Sequence, residues 1–268
     1  MKNVVAQGID VSKWQGRINW ELVKKAGVQF AILRAGYGDS LNNPNQLDEE
    51  FERNYAECKR LGIPVGVYWY SYAVTVDMAI QEAKSCYEAI KGKQFEYPLY
   101  YDVEEQRIFN TGLTNEIGKA FFDYMESKDY WVGWYTFRSA VTNYLTPRMR
   151  ERYAMAIAEY GNELHYDGQY GIWQYSSTGK VNGIMGNVDL DYCYVDYPTM
   201  IKGKGKNGYK KSNLKYEVVK DTPRVVLGDI EKKGTTVTVY GRKTICGVQY
   251  GRVNSTEWIS LKDCREKG

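Results

Sequence analysis

Histidine is almost absent from this chain. Its 268 residues include one, His165, in the loop-like segment ELHYDGQ. A catalytic triad or a metal centre built on histidine needs an imidazole next to other reactive groups. A lone histidine in a loop is typical of a surface residue. The sequence therefore argues against histidine-based nucleophilic catalysis and against a histidine-ligated metal.

Cysteine is present, but without a spacing that indicates a site. The five cysteines are odd in number, lack any C-x-x-C pair and are scattered along the chain: Cys58, Cys86, Cys193, Cys246 and Cys264. This pattern favours buried free thiols over a metal site, and it is not typical of a chain made for an oxidising compartment. A pairing of Cys246 with Cys264 within the C-terminal segment stays open.

Long apolar runs are also missing. The N-terminal segment MKNVVAQGIDVS has no apolar stretch typical of a signal peptide, and no run reaches the length of a membrane span. We therefore expect no membrane insertion. The mature protein either begins here or leaves its cell by another route, such as release from the cytoplasm at lysis. The net charge of +3 is too small to indicate a nucleic-acid partner.

Aromatic residues, by contrast, are abundant: 25 Tyr, 7 Trp and 7 Phe. Aromatic side chains with a polar edge suit a surface that stacks on sugars or bases. An aromatic-rich core is the simpler explanation for most of them. With 43% hydrophobic residues, the chain has the ordinary composition of a globular protein.

Strand-like apolar runs alternate with amphipathic helical stretches as far as residue 195. Eight runs have the pattern of strands: residues 4–12, 30–38, 64–73, 98–104, 130–137, 152–160, 171–177 and 188–195. Strand–helix alternation predicts a parallel sheet with right-handed crossovers, and eight such strands predict a small α/β barrel. Because the later crossovers are short, we expect a flattened or incomplete (β/α)8 barrel. A doubly wound open sheet is the alternative.

The composition changes after residue 200. The segment IKGKGKNGYKKSN, residues 201–213, combines lysine and glycine with no acid, which predicts a solvated linker. Short strand-like runs separated by turn residues follow, which predicts a small all-β module. The predicted domains are therefore a barrel over 1–200, a linker over 201–213 and a second module over 214–268.

Two carboxylates interrupt the apolar, aromatic stretch PLYYDVEEQ, residues 98–106. Asp102 and Glu104 are two residues apart, so in a strand they share one face. Pro98 marks the start of the strand, which puts both acids toward its carboxyl end. In an α/β barrel that end carries the active site.

Two further strands carry acids at comparable positions. Asp10 lies near the end of the first strand, and Asp189 and Asp191 lie in the last one. Because the first and last strands of a closed barrel are neighbours, we expect all these acids to converge on one cavity. Buried charges without partners are costly, and Arg34 could neutralise one of them at most. A functional cluster is therefore the better hypothesis.

Acid clusters suit a hard-cation site, glycosidic bond cleavage or metal-assisted phosphoryl transfer. Aromatic residues near the ends of the same strands favour a sugar ligand over a phosphate. These predicted substrate-binding residues are Tyr37, Tyr70, Tyr135, Trp173 and Tyr175. We accordingly predict a sugar-cleaving site with no metal and no cofactor.

Five separated motifs resemble those of the glycoside hydrolase family 25 muramidases, the Chalaropsis-type lysozymes of bacteria and phages. The resemblance covers residues 5–197, and its motifs are GIDVSKWQGRINW, FAILRAGYGD, GVYWYSYA, YYDVE and GIWQYSSTGKVNGIMGNVDLDY. It implies a flattened (β/α) barrel that cleaves the β-1,4 bond between N-acetylmuramic acid and N-acetylglucosamine in bacterial peptidoglycan. An endolysin released at lysis and a bacterial autolysin both fit, with action at the cell wall or outside the cell.

The resemblance also implies roles for individual residues. Glu104 is expected to be the general acid, and Asp102 to assist the substrate's N-acetyl group as it attacks the anomeric carbon. Asp10 is expected at the pocket floor, and Asp189 matches the Asp of the family's closing V-D-L-N. This chain reads V-D-L-D, so Asp191 replaces the usual Asn and joins the predicted substrate-binding residues.

The C-terminal module resembles bacterial SH3-like domains that bind cell walls, through YGRVNSTEWISL, residues 250–261. Its ligand is not evident, and a spacer or stabilising domain is the alternative. Two other functions remain open for the chain. One is a non-catalytic wall-binding protein on a hydrolase barrel, against which the intact D-V-E argues. The other is a hydrolase of a different N-acetylated polysaccharide such as chitin, although the D-x-x-D-x-D-x-E strand typical of barrel chitinases is absent.

Overall fold

The computed structural model describes residues 3–202 and, after them, eight short strands that lie between residues 214 and 267. The chain divides into two compact units, Met1–Gly208 and Tyr209–Gly268. The first unit holds a barrel with its helices, and the second holds the short strands. No helix in these described ranges is long and apolar enough to cross a lipid bilayer.

A closed barrel of eight strands forms the first unit, with the strands following one another in chain order around it. The strands are β1 (Ala6–Val11), β2 (Phe30–Tyr37), β3 (Val65–Tyr70), β4 (Leu99–Asp102), β5 (Val132–Phe137), β6 (Ala154–Ala158), β7 (Ile172–Gly179) and β8 (Val188–Cys193). Eight is the predicted number of strands. Closure of the barrel excludes the doubly wound open sheet.

The last strand departs from the (β/α)8 arrangement. Strands β1 to β7 are parallel to one another, whereas β8 is antiparallel to both of its neighbours, β7 and β1. Residues 180–187 join β7 to β8, and this connection is shorter than the dozen or so residues that a parallel crossover needs. Residues 159–171, between β6 and β7, contain no helix either. The barrel is therefore a mixed eight-stranded barrel, and a complete (β/α)8 barrel is not formed.

The described part of the first unit has eight α-helices: α1 (Trp20–Lys25), α2 (Phe51–Leu61), α3 (Val76–Ile90), α4 (Gln106–Phe109), α5 (Thr114–Ser127), α6 (Arg138–Tyr144), α7 (Pro147–Arg152) and α8 (Tyr197–Lys202). Thr75 begins α3 as a side-chain cap that accepts a hydrogen bond from the Met78 amide. Gly62 ends α2 with φ of 68°, a left-handed conformation that glycine adopts without steric cost.

Aromatic side chains fill much of the space between the barrel and its helices. Trp69 and Trp134 are fully buried, and the Phe121 ring stacks on Tyr101 with centroids 3.9 Å apart. Helix α5 approaches β5 so closely that a Cβ atom at Gly118 would lie 1.8 Å from the Trp134 ring. These rings belong to the core, as the simpler explanation of the aromatic content predicts.

The cysteines of the first unit are structural. Cys58, Cys86 and Cys193 are buried and carry free thiols, which confirms the prediction for these three. The predicted alternative, a pairing of Cys246 with Cys264, lies outside the residues whose side chains are described and stays a prediction.

The second unit is described through its strands. They are β9 (Leu214–Val218), β10 (Thr222–Pro223), β11 (Ile230–Glu231), β12 (Thr236–Val239), β13 (Gly241–Ile245), β14 (Val248–Arg252), β15 (Trp258–Ser260) and β16 (Cys264–Lys267). They form antiparallel sheets of order β12-β9-β16, β13-β14-β15 and β10-β11. An SH3-like barrel remains a prediction.

The first two residues of the predicted linker belong to a helix. Residues 201 and 202 are the last two of helix α8, and Ile201 is buried against the core beside Tyr197. An apolar residue that packs in a core does not belong to a solvated linker, so the start of the linker at 201 is wrong. Residues 203–213 of the predicted linker lie outside the described residues.

Candidate active site

An open cavity lies at the end of the barrel where β1 and β4 end. Its volume is about 160 Å³. Carboxylates, tyrosines and one arginine dominate its lining, which consists of Asp10, Ile32, Arg34, Tyr68, Tyr70, Tyr100, Asp102, Glu104, Tyr135, Ala156, Ile172, Asp189 and Asp191. All five acids that were predicted to converge are therefore in one cavity.

The direction of β8 explains how the acids from the first and last strands meet. Asp10 is the fifth residue of β1, and its backbone partner on β8 is Asp189. Because β8 is antiparallel, its beginning lies at the barrel end where β1 finishes. Asp191 pairs with Gly8 on one side and with Gln174 on the other, one layer deeper in the barrel.

Asp102 and Glu104 reach the cavity from β4. Asp102 is the last residue of this strand, between Tyr70 of β3 and Tyr135 of β5. The Val103 amide continues the ladder by donating to the Tyr135 carbonyl at 3.0 Å. These hydrogen bonds fix the backbone immediately before Glu104, so that the two acids enter the cavity from consecutive positions of one face.

Burial raises the pKa of both acids in this pair. Asp102 is 4% exposed, and desolvation raises its pKa well above the ordinary value, with a further rise from the Glu104 charge and a lowering by Arg34. The pKa of Glu104 is raised to about 7, first by desolvation and then by the charges of Asp189 and Glu105. The charges that raise the pKa of Glu104 therefore come from the far side of the cavity, at Asp189, and from the next residue of the chain, Glu105.

A second group of acids, Asp10, Asp189 and Asp191, lies across the cavity. Desolvation is the largest cause of the raised pKa of each, and their mutual charges raise those of Asp10 and Asp191 further. The Asp10 carboxyl group is in hydrogen-bond contact with both others. Because a hydrogen bond between two carboxyl groups requires a proton, each of these contacts needs one of its two carboxyl groups to be protonated.

Arg34 does not form an ion pair with the predicted acids. Its Nε donates at 2.7 Å to Oδ2 of Asp48, which also accepts the Lys13 amide at 3.0 Å. Its Nη2 is buried without a hydrogen-bond partner, as is Oδ1 of Asp102. The guanidinium thus acts on Asp102 through its field alone, and both side chains keep capacity for a ligand.

Two of the five predicted aromatic residues, Tyr70 and Tyr135, line the cavity. The Tyr70 hydroxyl donates to Oε1 of Glu105 at 2.9 Å, and the Tyr135 hydroxyl donates to Oε1 of Gln174 at 2.9 Å. Both tyrosines are thereby fixed beside the carboxylates, one through a further acid and the other through an amide.

The other three predicted aromatic residues are not in the cavity lining. Trp173 donates from Nε1 to the Glu159 carbonyl at 2.8 Å, and Tyr175 stacks on Tyr192 with ring centroids 4.2 Å apart. Tyr37 contacts the Asn45 carbonyl instead. Side chains alternate along a strand, and Gln174 faces the inside of the barrel. The predicted residues on either side of it, Trp173 and Tyr175, therefore do not.

Sequence reasoning missed Tyr68, Tyr100 and Gln174. Tyr68 lies two residues before Tyr70, and Tyr100 lies two residues before Asp102, so the period of two along a strand was a signal for both. Gln174 gave no signal of this kind, since no acid or tyrosine of the predicted site shares its face of β7. In the described residues, no three His, Cys, Asp or Glu side chains are arranged to hold a metal ion.

Comparison with known proteins assigns the chain to a family. The family described as Glycosyl hydrolases family 25 matches residues 9–184. The autolytic lysozyme of Clostridium acetobutylicum is 28% identical over 186 residues, which cover 69% of this chain and 55% of that protein.

Two solved structures are similar to the barrel unit. The modular autolysin LytC of Streptococcus pneumoniae, in complex with a synthetic peptidoglycan ligand, has a TM-score of 0.61 and 32% identity over 69% of this chain and 46% of LytC. The bacterial lysozyme of Streptomyces coelicolor has a TM-score of 0.59 and 25% identity, covering 71% of this chain and 92% of that one.

The chain thus spans about half the length of the autolytic lysozyme and of LytC. The family match covers more than half of this chain. It includes Asp10 and Asp102, the acids of the cavity that lie on β1 and β4. The chain therefore belongs to family 25 of the glycosyl hydrolases.

Proposed function

We propose that this chain hydrolyses the β-1,4 bond between N-acetylmuramic acid and N-acetylglucosamine in bacterial peptidoglycan. Glu104 is the general acid, and Asp102 assists the N-acetyl group of the substrate. The single observation that carries this proposal is the pair of acids at the end of β4, Asp102 buried and Glu104 half-buried, which line one open cavity and both have a raised pKa.

Glu104 suits the role of the acid because a general acid must hold its proton near working pH. A pKa of about 7 keeps about half of the Glu104 carboxyl groups protonated at neutral pH. No Lys, Arg or His of the described residues forms an ion pair with it, so its proton is not displaced by a neighbouring cation. The proton goes to the leaving glycosidic oxygen as the bond to the anomeric carbon breaks.

Asp102 suits the role of an assisting carboxylate. Burial and the Glu104 charge raise its pKa well above the ordinary value, and the positive charge of Arg34 lowers it. Because the Glu104 charge has the larger effect of these two charges, a protonated Glu104 favours the ionised form of Asp102. Its Oδ1 has no hydrogen-bond partner in the described structure and can accept the N–H of an acetamido group. That bond orients the acetamido oxygen toward the anomeric carbon, where it forms the new C–O bond that water later opens.

The remaining cavity residues give the sugar its surroundings. Asp10 and Asp189 form the wall opposite Asp102, with Asp191 beneath them, and Tyr70 and Tyr135 supply aromatic edges. Carboxyl groups accept hydrogen bonds and, when protonated, also donate them, which matches the hydroxyl and amide groups of an amino sugar.

We place the action of the protein at the bacterial cell wall. The names of its relatives, an autolytic lysozyme and a modular autolysin, support this location. We further propose that the second unit attaches the enzyme to the wall. A chain cut near residue 203 then still cleaves soluble fragments and adheres less to whole walls, whereas unchanged adhesion would remove this role.

Digestion of purified peptidoglycan, with mass analysis of the new reducing ends, tests the bond that is cut. The proposal requires N-acetylmuramic acid at those ends. N-acetylglucosamine ends would reassign the bond, and chitin oligomers as the better substrate would reassign the polysaccharide. If the wild-type chain binds walls and releases nothing, it is a non-catalytic binding protein.

A further inference from the structure

Gln174 joins the two groups of acids without lining the cavity itself. It lies on β7 and is 1% exposed. Its amide makes two side-chain hydrogen bonds. The Tyr135 hydroxyl donates to Oε1 at 2.9 Å, and Nε2 donates to Oδ2 of Asp10 at 2.6 Å.

The two hydrogen bonds cross the interior of the barrel. Tyr135 stands on β5, where its backbone partner is Asp102. Asp10 stands on β1, and β8 separates that strand from β7. Gln174 therefore links the strand that neighbours the Asp102–Glu104 pair to the group formed by Asp10, Asp189 and Asp191.

The donor at Nε2 differs in kind from the other partners of Asp10. Asp189 and Asp191 contact Asp10 through carboxyl groups, and such a contact holds only while a proton is shared. The amide N–H donates whether or not a proton is present. Gln174 thus fixes one oxygen of Asp10 in every charge state, and we expect a shared proton at the opposite oxygen.

We propose that Gln174 is a positioning residue, whose amide bridges Tyr135 to Asp10 and holds the Asp10 carboxylate in one orientation against Asp189 and Asp191. The inference rests on the proposed function, because the orientation of Asp10 matters where a sugar occupies the cavity. Gln174 touches no reacting atom and acts through the groups it holds.

Several titratable groups face Asp10 from the elements around it: Asp189 and Asp191 on β8, Tyr68 on β3, Tyr135 on β5 and Tyr160 after β6. Burial and the neighbouring carboxylates raise the pKa of Asp10, and the Gln174 hydrogen bond lowers it. Removal of the amide therefore raises the pKa of Asp10 further, so that the carboxylate takes up a proton at higher pH.

Two substitutions separate positioning from packing. Gln174→Met keeps the volume and removes both hydrogen bonds, and we expect kcat to fall about 10- to 100-fold with little change in KM. The acid limb of the kcat profile moves to higher pH. Gln174→Glu keeps the acceptor for Tyr135, and its carboxyl group can donate to Asp10 only when protonated. Its activity relative to wild type therefore rises as pH falls.

The matched control is Gln29→Met, at the residue just before β2, where the exposed side chain accepts a hydrogen bond from the Gln7 amide. It should leave kcat and the pH profile at their wild-type values. Equal kcat and pH profiles for wild type and Gln174→Met would overturn the inference. If Gln174→Met does not fold, a pH-independent ratio of Gln174→Glu to wild-type activity would overturn it.

The Asp10 carboxyl carbon provides a readout that does not depend on hydrolysis. Its NMR titration midpoint should lie higher in Gln174→Met than in wild type, and an unchanged midpoint contradicts the inference. If wild type releases no fragments from peptidoglycan while this midpoint shifts, the proposed function fails and the positioning by Gln174 stands. If wild type releases fragments and the midpoint is unchanged, the proposed function stands and the positioning by Gln174 fails.

Discussion

Strand β4 separates two buried acids whose surroundings differ. On its outer face Tyr101 contacts Glu82 of helix α3, and at its end Asp102 faces the cavity. The two acids are almost equally buried, with 2% of Glu82 and 4% of Asp102 exposed. Desolvation raises the pKa of both, to about 7 for Glu82. Burial and a raised pKa therefore do not by themselves mark a catalytic group.

The hydrogen bonds distinguish the two acids. Oε2 of Glu82 accepts the Tyr101 hydroxyl at 2.5 Å, and Oε1 accepts the Tyr72 amide at 2.8 Å. Ser71 donates in turn to the Tyr101 hydroxyl at 2.7 Å. Asp102 lines the cavity, and its buried Oδ1 has no hydrogen-bond partner in the described structure. A buried acid with its oxygens satisfied holds the fold together, and one with an oxygen left over is available to a ligand.

The largest effect is expected on activity, when Asp102 loses its carboxyl group. Asp102→Asn removes the carboxylate that orients the acetamido group, so kcat should fall about 100- to 1,000-fold. The thermal midpoint of unfolding should not decrease, because the substitution removes a buried acid with an unsatisfied oxygen. Steady-state kinetics and calorimetry on the same preparation measure both. A fall in the midpoint with unchanged kcat would make Asp102 a structural acid like Glu82.

The reverse pattern is expected for Glu82. Glu82→Leu leaves the Tyr72 amide and the Tyr101 hydroxyl without their acceptor, and should lower the free energy of unfolding by about 3 kcal/mol. Denaturant titration measures this loss. The kcat of the folded fraction should stay within about threefold of wild type, since Glu82 lies outside the cavity. Asp77→Leu, at an exposed position of the same helix, is the control for introducing leucine.

The pH dependence of stability sharpens the comparison. Folding raises the pKa of Glu82 from 4.5 to about 7, so the folded state binds the proton more tightly than the unfolded one. Its contribution is fully present below pH 4.5 and is lost as pH rises through 7, by about 2 kcal/mol between pH 5 and pH 7. Glu82→Gln should remove that part of the slope in denaturant titrations. A variant with the wild-type slope would show that Glu82 does not titrate there.

The smallest effect is expected for the hydroxyl that satisfies Glu82. Tyr101→Phe removes two hydrogen bonds, the one to Glu82 and the one from Ser71, and keeps the ring stacked on Phe121, so the free energy of unfolding should fall by about 1 to 2 kcal/mol. The kcat should not change. A clear fall in kcat, with the free energy of unfolding little changed, would mean that the outer face of β4 controls the cavity.

The acids of the cavity could be predicted because their positions at the ends of strands follow from local sequence. Asp102 and Glu104 interrupt an apolar strand, and a closed barrel makes Asp10 a neighbour of the last strand whichever way that strand runs. The direction of β8 leaves no trace in its own residues, and the short segment 180–187 was the available clue. Because β8 is antiparallel, Asp189 lies at the beginning of its strand, although parallel neighbours were expected.

The sequence could not show which residues of β7 face the inside of the barrel. Trp173, Gln174 and Tyr175 alternate between the two faces, and two aromatic residues suggested a sugar surface. The inward position went to Gln174, whose long-range bonds to Tyr135 and Asp10 join positions 39 and 164 residues away. Likewise, Arg34 is paired by Asp48, from a loop with no motif of its own. Such partners depend on tertiary contacts and not on local pattern.

The most direct test of the account compares reducing-end release from purified peptidoglycan by wild type, Glu104→Gln and Glu82→Gln at pH 6. All three should be folded by circular dichroism. Wild type and Glu82→Gln should release muramic-acid ends at similar rates, while Glu104→Gln should be at least about 100-fold slower. Release by Glu104→Gln at the wild-type rate would contradict the claim that the acids of the cavity, rather than the buried acids in general, perform the cleavage.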